Sequence, residues 1–141
     1  MKKALEARPY LIKPNLEELS FLTGRTPDTA QSVIADARTV ALAMGSTVVV
    51  SMGGDGAVMV RGGHAWFAKA PAVQVASSVG AGDALVAGLV AAEENGLDER
   101  DQLAFAVAAG SAAAVQSGSR PVEMSDVLYL SEQVQCAGVV G

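Results

Sequence analysis

The chain has 141 residues, of which half are hydrophobic and only 4% aromatic, and its 15 acidic side chains outnumber its 10 lysines and arginines. This length fits one domain that can bury a core of its own. The net charge of −5 argues against nucleic acids and anionic membranes as partners, because neutralising phosphates requires clustered lysines and arginines.

The cysteine content and the uncharged segments indicate the compartment. Cys136 is the only cysteine, so no internal disulfide can form, which favours a reducing environment. Glu6 and Arg8 interrupt the apolar stretch that a signal peptide needs. The uncharged segment 102–119 is built mainly from Ala, Gly and Ser, with too few large apolar side chains for a membrane span. We therefore expect a cytoplasmic protein that does not bind membranes.

The chain begins with a predicted strand and helix. Residues 9–12 form an apolar run, and the proline that follows Lys13 disfavours helix before it, so a strand leading into a loop is expected. Asn15 is a suitable cap for a short helix over 16–22. Gly24 provides its end.

A second helix and a buried strand follow. Proline at the first helical position predicts a helix start at Pro27, and Gly45 its end. Residues 47–50 are β-branched and apolar on both faces, which is typical of a strand buried in a mainly parallel sheet. A tight glycine-rich turn comes next. Strands are then predicted over 57–60 and 64–68, and they form a hairpin through Gly62-Gly63. A further short strand is predicted over 73–75.

Three helices are predicted in the remainder of the chain. They cover about 83–95, 98 or 99 to 116, and 125–135. Strands alternating with helices predict a layered α/β fold, with a largely parallel sheet, a β-hairpin and flanking helices.

The most informative segment for function is Gly80-Ala81-Gly82-Asp83, a glycine-containing loop that opens an apolar helix. Glycines let backbone N–H groups approach an anion, and a helix N-terminus adds its positive dipole end, so this loop can hold a phosphoryl group. A carboxylate at Asp83 opposes phosphate unless it has another task, such as accepting a proton from an attacking hydroxyl. The alternative is that Asp83 only caps or begins the helix.

Two further segments follow predicted strands. Ser51-Met52-Gly53-Gly54-Asp55-Gly56 stands at the carboxyl end of the buried strand, where α/β sheets bind ligands, although it also suits an ordinary turn. Asn15 and Glu18 are spaced to orient water around Mg²⁺, and the same spacing is that of a helix capping box.

In this order, Lys13-Pro14-Asn15-x-x-Glu18, Val48-Val49-Val50-Ser51-x-Gly53-x-x-Gly56 and Val79-Gly80-Ala81-Gly82-Asp83 resemble the carboxyl-terminal half of the ribokinase-like (PfkB) carbohydrate kinases. The resemblance extends from about Tyr10 through the region 104–120, nearly the whole chain. It implies that residues 1–141 are a single partial domain, the nucleotide-binding and catalytic half, without the amino-terminal sugar-binding half and its lid.

The resemblance also implies roles for individual residues. Asp83 would be the catalytic base, and the amides of Gly80, Ala81 and Gly82 would form the anion hole for the γ-phosphoryl group. The cofactors would be ATP, Mg²⁺ and K⁺. Nucleotide contacts would come from Lys13, Asn15, Ser51, Met52, Gly53, Gly54, Asp55 and Gly56, with Val107 and Ser111 near the adenine. Glu18 would act on Mg²⁺ through water, and K⁺ would be held near Ser77, Val79, Ala113, Gln116, Gly118 and Arg120.

Within the family, Ser77-Ser78 replaces the Asp-Thr pair that is more usual in ribokinase, so the chain resembles the phosphosugar kinases. Fructose 6-phosphate is the expected acceptor, and 1-phosphofructokinase and tagatose-6-phosphate kinase activities are the alternatives. Because phosphoryl transfer requires both substrates to be positioned, we expect half a site to be inactive alone and to self-associate or pair with the missing half. A non-catalytic nucleotide-binding or assembly module is the competing hypothesis.

Overall fold

The computed structural model describes residues 10–73, 80–115 and 123–139. Within these ranges the strands are β1 (Leu11–Ile12), β2 (Thr47–Ser51), β3 (Ala57–Arg61), β4 (His64–Lys69) and β5 (Gln135–Val139). The helices are α1 (Leu16–Thr23), α2 (Ala30–Met44), α3 (Ala81–Glu94), α4 (Glu99–Val115) and α5 (Met124–Ser131). Contacts between residues divide the chain into two compact units.

The strands form one mixed sheet in the order β1-β2-β3-β4-β5. β1 is parallel to β2, with Leu11 opposite Thr47, and β2 is antiparallel to β3, with Val49 opposite Met59. The parallel connection contains α1 and α2, as a parallel pair requires a crossover. The α/β class and the predicted hairpin are confirmed, but the sheet is mixed and not largely parallel, because the hairpin and the pairing of β2 with β3 are antiparallel.

The first unit contains β1, α1, α2, β2, β3 and most of β4, together with the end of β5. Its core joins β2 and β3 to the apolar face of α2, on which Val33, Ile34 and Ala37 are buried. Val49 on the other face of β2 is also fully buried. Burial on both faces explains why β2 is a continuous apolar run rather than an alternating one.

The start of α2 differs from the prediction. The helix begins at Ala30 and not at Pro27, because Thr29 forms a capping box: its hydroxyl accepts from the Ser32 N–H at 3.1 Å, and the Ser32 hydroxyl accepts from the Thr29 N–H at 2.9 Å. The predicted end is confirmed, since Gly45 has φ of +63° and its N–H donates to the Ala41 carbonyl.

The second unit contains residues 53–56 and 68–137, including α3, α4 and α5. α3 and α4 approach each other closely through small residues, and a Cβ added at Gly88 would lie 2.8 Å from the Cβ of Ala109. The same helix also packs on α5, where Val127 contacts a cluster of buried alanines of α4, namely Ala108, Ala109 and Ala112. The alanine-rich segment is therefore a buried helix, as expected from its sequence. No helix among the described residues is long and apolar enough to cross a membrane.

The structure reproduces neither the full predicted helix over 125–135 nor the start of the predicted strand over 73–75. The predicted helix over 125–135 is wrong at its end, because α5 stops at Ser131 and Gln135–Val139 forms strand β5. Pairing with a strand distant in sequence outweighs local propensity here. Of the predicted strand 73–75, Val73 is not in a strand and the other two residues lie outside the described ranges.

Gly56 occupies a position that only glycine fits. Its φ is +110°, and an added Cβ would lie 1.9 Å from the Ala68 carbonyl oxygen. We expect Gly56→Ala to lower the free energy of unfolding by about 2–5 kcal/mol, because backbone strain and overpacking add. Urea denaturation measures the change. The control is Gly63→Ala, where an added Cβ meets nothing within 4 Å, and a loss equal to that of Gly56→Ala would contradict the prediction.

Cys136 is predicted to be unreactive in the folded chain. Burial raises the pKa of its thiol from 9.0 to about 11, the nearby Arg100 opposes the rise, and Asp101 and Asp98 add to it. The folded state thus favours the neutral thiol, and this stabilisation is present below pH 9 and lost as the pH rises through 11. At pH 8 we expect iodoacetamide to label the folded chain roughly a hundredfold more slowly than the chain in urea, as the thiolate fractions require. Equal rates would contradict burial of this thiol.

Candidate functional site

The loop between β1 and α1 holds Lys13, Asn15 and Glu18. Asn15 is the N-cap of α1: its Oδ1 accepts from the Glu18 N–H at 2.8 Å, and Glu18 Oε1 accepts from the Asn15 N–H at 3.1 Å. The capping-box alternative is therefore confirmed. A carboxylate has several further lone pairs, so this bond leaves Glu18 able to accept from a water molecule as well.

The carboxyl end of β2 lies beside this loop. The Ser51 N–H donates to the Pro14 carbonyl at 3.2 Å, and Asn15 forms a parallel bridge with Ser51. Two of the predicted nucleotide segments thus meet within the first unit, at the ends of parallel strands where ligands bind in α/β sheets. Lys13, Ser51 and Met52 are half-buried, and Met52 packs against the core of this unit.

The glycine-rich turn after β2 belongs to the second unit. Gly53–Asp55 forms one turn of 3-10 helix, which the Gly56 N–H closes by donating to the Gly53 carbonyl at 3.2 Å. Gly53, Gly54 and Asp55 are exposed, whereas Gly56 is buried. The turn therefore presents backbone and one carboxylate to solvent.

The first turn of α3 combines backbone donors with a carboxylate. Gly80 is the N-cap, with φ of +82° and no side-chain capping bond among the described residues. The Ala84 N–H makes the first bond of the helix, to the Gly80 carbonyl at 2.9 Å. The N–H groups of Ala81, Gly82 and Asp83 consequently have no acceptor within α3, and they lie at its positive end.

Asp83 is exposed and lies in this first turn. Of the alternative that it caps or begins the helix, the capping part is wrong, because the cap position is Gly80, whereas its place in the first turn of α3 is confirmed. Its carboxylate belongs to the same helical turn as N–H donors suited to an anion, and a carboxylate there can accept a proton from a hydroxyl held beside a bound phosphoryl group.

The remaining predicted residues are on α4 or outside the described ranges. Val107 and Ser111 are buried, with exposures of 4% and 8%, and Ala113 is half-buried. Their predicted contacts with adenine and K⁺ stay predictions. The other predicted K⁺ ligands, Ser77, Val79, Gln116, Gly118 and Arg120, lie outside the described residues. Within the described ranges, no three His, Cys, Asp or Glu side chains are grouped to hold a metal ion.

Sequence reasoning missed the features that fix these segments in place. The bond from Ser51 to Pro14 follows from strand register, which no local pattern reveals. Gly110 on α4 approaches the first turn of α3, and an added Cβ there would lie 3.2 Å from the Ala81 carbonyl oxygen. The signal for this second feature was available as an isolated glycine in an alanine-rich helix.

The chain is similar to known carbohydrate kinases. The profile described as pfkB family carbohydrate kinase matches residues 1–125. A 1-phosphofructokinase of Rhodobacter capsulatus is 49% identical over 110 residues, which cover 77% of this chain and 35% of that protein.

Solved structures show the same fold. Phosphofructokinase-2 from Escherichia coli, in complex with potassium, superposes with a TM-score of 0.83 at 31% identity over 92% of this chain and 42% of its own. Arabidopsis thaliana ribokinase, complexed with ribose and ATP, gives 0.76 at 29% identity over 86% of this chain and 40% of its own. The chain thus spans less than half the length of these relatives. It belongs to the pfkB family of carbohydrate kinases.

Proposed function

We propose that the chain is the nucleotide-binding and catalytic-base half of an ATP-dependent kinase for sugar phosphates. The observation that carries this proposal is the first turn of α3, where the carboxylate of Asp83 belongs to the same helical turn as N–H groups that have no acceptor within the helix. Family membership supports it, because carbohydrate kinases transfer a phosphoryl group, and this chemistry uses an anion site together with a base.

In the proposed reaction, Asp83 accepts the proton of a sugar-phosphate hydroxyl. The hydroxyl oxygen forms a bond to the γ-phosphorus of ATP, and the bond from that phosphorus to the β–γ bridging oxygen breaks to release ADP. The amides of Gly80, Ala81 and Gly82 stabilise the charge on the transferring group. Such donors act most strongly when they are held in place before the reaction begins.

The nucleotide is assigned to segments that the structure describes. Lys13 and Asn15 would contact phosphates, and residues 51–56 would lie along the nucleotide. Both segments are placed at the carboxyl ends of strands, where α/β sheets bind ligands. Mg²⁺ would neutralise phosphate charge, and Glu18 would orient its water molecules while also holding the cap of α1. K⁺ is proposed near the anion hole because a potassium complex of a related kinase exists.

Fructose 1-phosphate is now the favoured acceptor. Fructose 6-phosphate was expected from the sequence, but the relative with 49% identity is a 1-phosphofructokinase.

The sugar would be bound mostly by residues of the amino-terminal half, and pairing with that half or with a second copy would complete the site. Exposed apolar side chains in each unit, such as Phe21, Leu42 and Tyr129, support association, which light scattering measures.

Lys13 provides a test of nucleotide binding. Calorimetry with MgATP should show binding to the unaltered chain and about tenfold weaker binding to Lys13→Met, which removes a charge beside the phosphates but keeps the aliphatic stem. Lys69→Met makes the same change at an exposed position of β4 and should bind as the unaltered chain does. No heat of binding at millimolar MgATP would contradict the nucleotide site.

Asp83→Asn tests the catalytic base. The change keeps the size of the side chain but removes proton acceptance, so kcat for ADP release with fructose 1-phosphate, measured after the amino-terminal half has been added to complete the site, should fall about 10²–10⁴-fold while MgATP still binds. Asp101→Asn alters an exposed carboxylate in the first turn of α4 and should leave kcat unchanged. Unchanged turnover in Asp83→Asn would refute the base assignment.

The same assay separates the alternatives. A chain that binds MgATP but releases no ADP with any sugar phosphate, even after the amino-terminal half has been added, would be the non-catalytic module. ADP release that does not depend on added sugar would indicate an ATPase, because water would then be the acceptor.

A further inference from the structure

Gly110 lies against the first turn of α3. A Cβ added at Gly110 would stand 3.2 Å from the Ala81 carbonyl oxygen and 3.6 Å from the Leu85 Cβ. The first separation is shorter than ordinary van der Waals contact, so a side chain at this position forces the Ala81 carbonyl to move. The absence of a side chain at Gly110 therefore determines where the Ala81 carbonyl rests.

The Ala81 carbonyl and the Gly82 N–H belong to one peptide group. Peptide groups are planar, and no cis peptide bond occurs among the described residues, so the oxygen and the N–H point in opposite directions from a single rigid plane. Pressure on the Ala81 oxygen must tilt this plane or shift the whole turn. Either movement redirects the Gly82 N–H, one of the donors without an acceptor in α3.

We propose that Gly110 is a positioning residue that sets the direction of the Gly82 N–H toward the transferring phosphoryl group. This inference rests on the proposed function, in which Gly82 contributes to the anion hole. Gly110 itself contacts neither substrate nor cofactor in this proposal and acts only through the Ala81–Gly82 peptide.

Gly88 offers a matched control on the same pair of helices. A Cβ added there would lie 2.8 Å from the Ala109 Cβ and 3.2 Å from the Ala106 Cα, a closer approach than that at Gly110. Gly88 is about two helical turns from Ala81, and no atom of the first turn is among its near neighbours. Gly88→Ala therefore crowds the packing of α3 on α4 without pressing on the Ala81–Gly82 peptide.

The experiment compares backbone amide ¹H–¹⁵N spectra of the unaltered chain, Gly110→Ala and Gly88→Ala, first alone and then titrated with MgATP. We expect the Gly82 resonance to shift in Gly110→Ala and to stay in place in Gly88→Ala. On titration, MgATP should shift the Gly82 resonance in the unaltered chain and in Gly88→Ala. In Gly110→Ala, the MgATP concentration that gives half of the full shift should be about tenfold higher, because a misdirected donor stabilises the bound phosphate less.

Each outcome separates this inference from the proposed function. A Gly82 resonance that is the same in Gly110→Ala and the unaltered chain overturns the positioning role, whether or not MgATP binds. Alanine favours helix over glycine, so Gly110→Ala should fold, and a variant that unfolds while Gly88→Ala folds would show a packing role instead. No response of the unaltered chain to MgATP would count against the proposed function and against anion binding by Gly82, while the resonance comparison would still report on the peptide's orientation.

Discussion

The pairing of β2 with its two neighbours is the constraint on which the first unit depends. β2 is buried on both faces and bonded along both edges, parallel to β1 and antiparallel to β3. One residue of register shift would break the pairing of Leu11 with Thr47 and of Val49 with Met59 at the same time. The register therefore fixes where β2 ends, and with it the approach of Ser51 to the loop that carries Lys13 and Asn15.

The acidic character of the chain is consistent with a phosphate ligand because the proposed contacts come mainly from the backbone. Backbone N–H groups at a helix start supply positive potential without adding a titratable cation. The surface can then remain negatively charged, which disfavours nucleic acids and other large polyanions, while one small anion is still bound. In the proposed reaction, a carboxylate at Asp83 is compatible with that anion because it acts as the base.

Local chemistry determined how much of the fold the sequence could predict. The α/β class, the hairpin, the cap at Asn15 and the glycine ends of α1 and α2 follow from short-range rules, and the structure confirms them.

The start of α2 was misplaced because Thr29 and Ser32 form a stronger cap than Pro27 provides. β5 was missed because its strand state comes from pairing across the chain. The ion pair between exposed Arg25 and buried Asp36, at 2.8 Å, was also not foreseen, since tertiary packing alone brings the two together. For the candidate site, the motifs identified which residues to consider, but the juxtaposition of Asn15 with Ser51 required the sheet.

Ligand binding at the start of α3 would be linked to folding. Most helices satisfy their first N–H groups with a side chain, and among the described residues none does so here. An anion bound at this turn would therefore complete the helix as a capping side chain does elsewhere. Any such ligand favours the folded chain by mass action, so the stability of α3 becomes a function of ligand concentration and not of the amino-acid sequence alone.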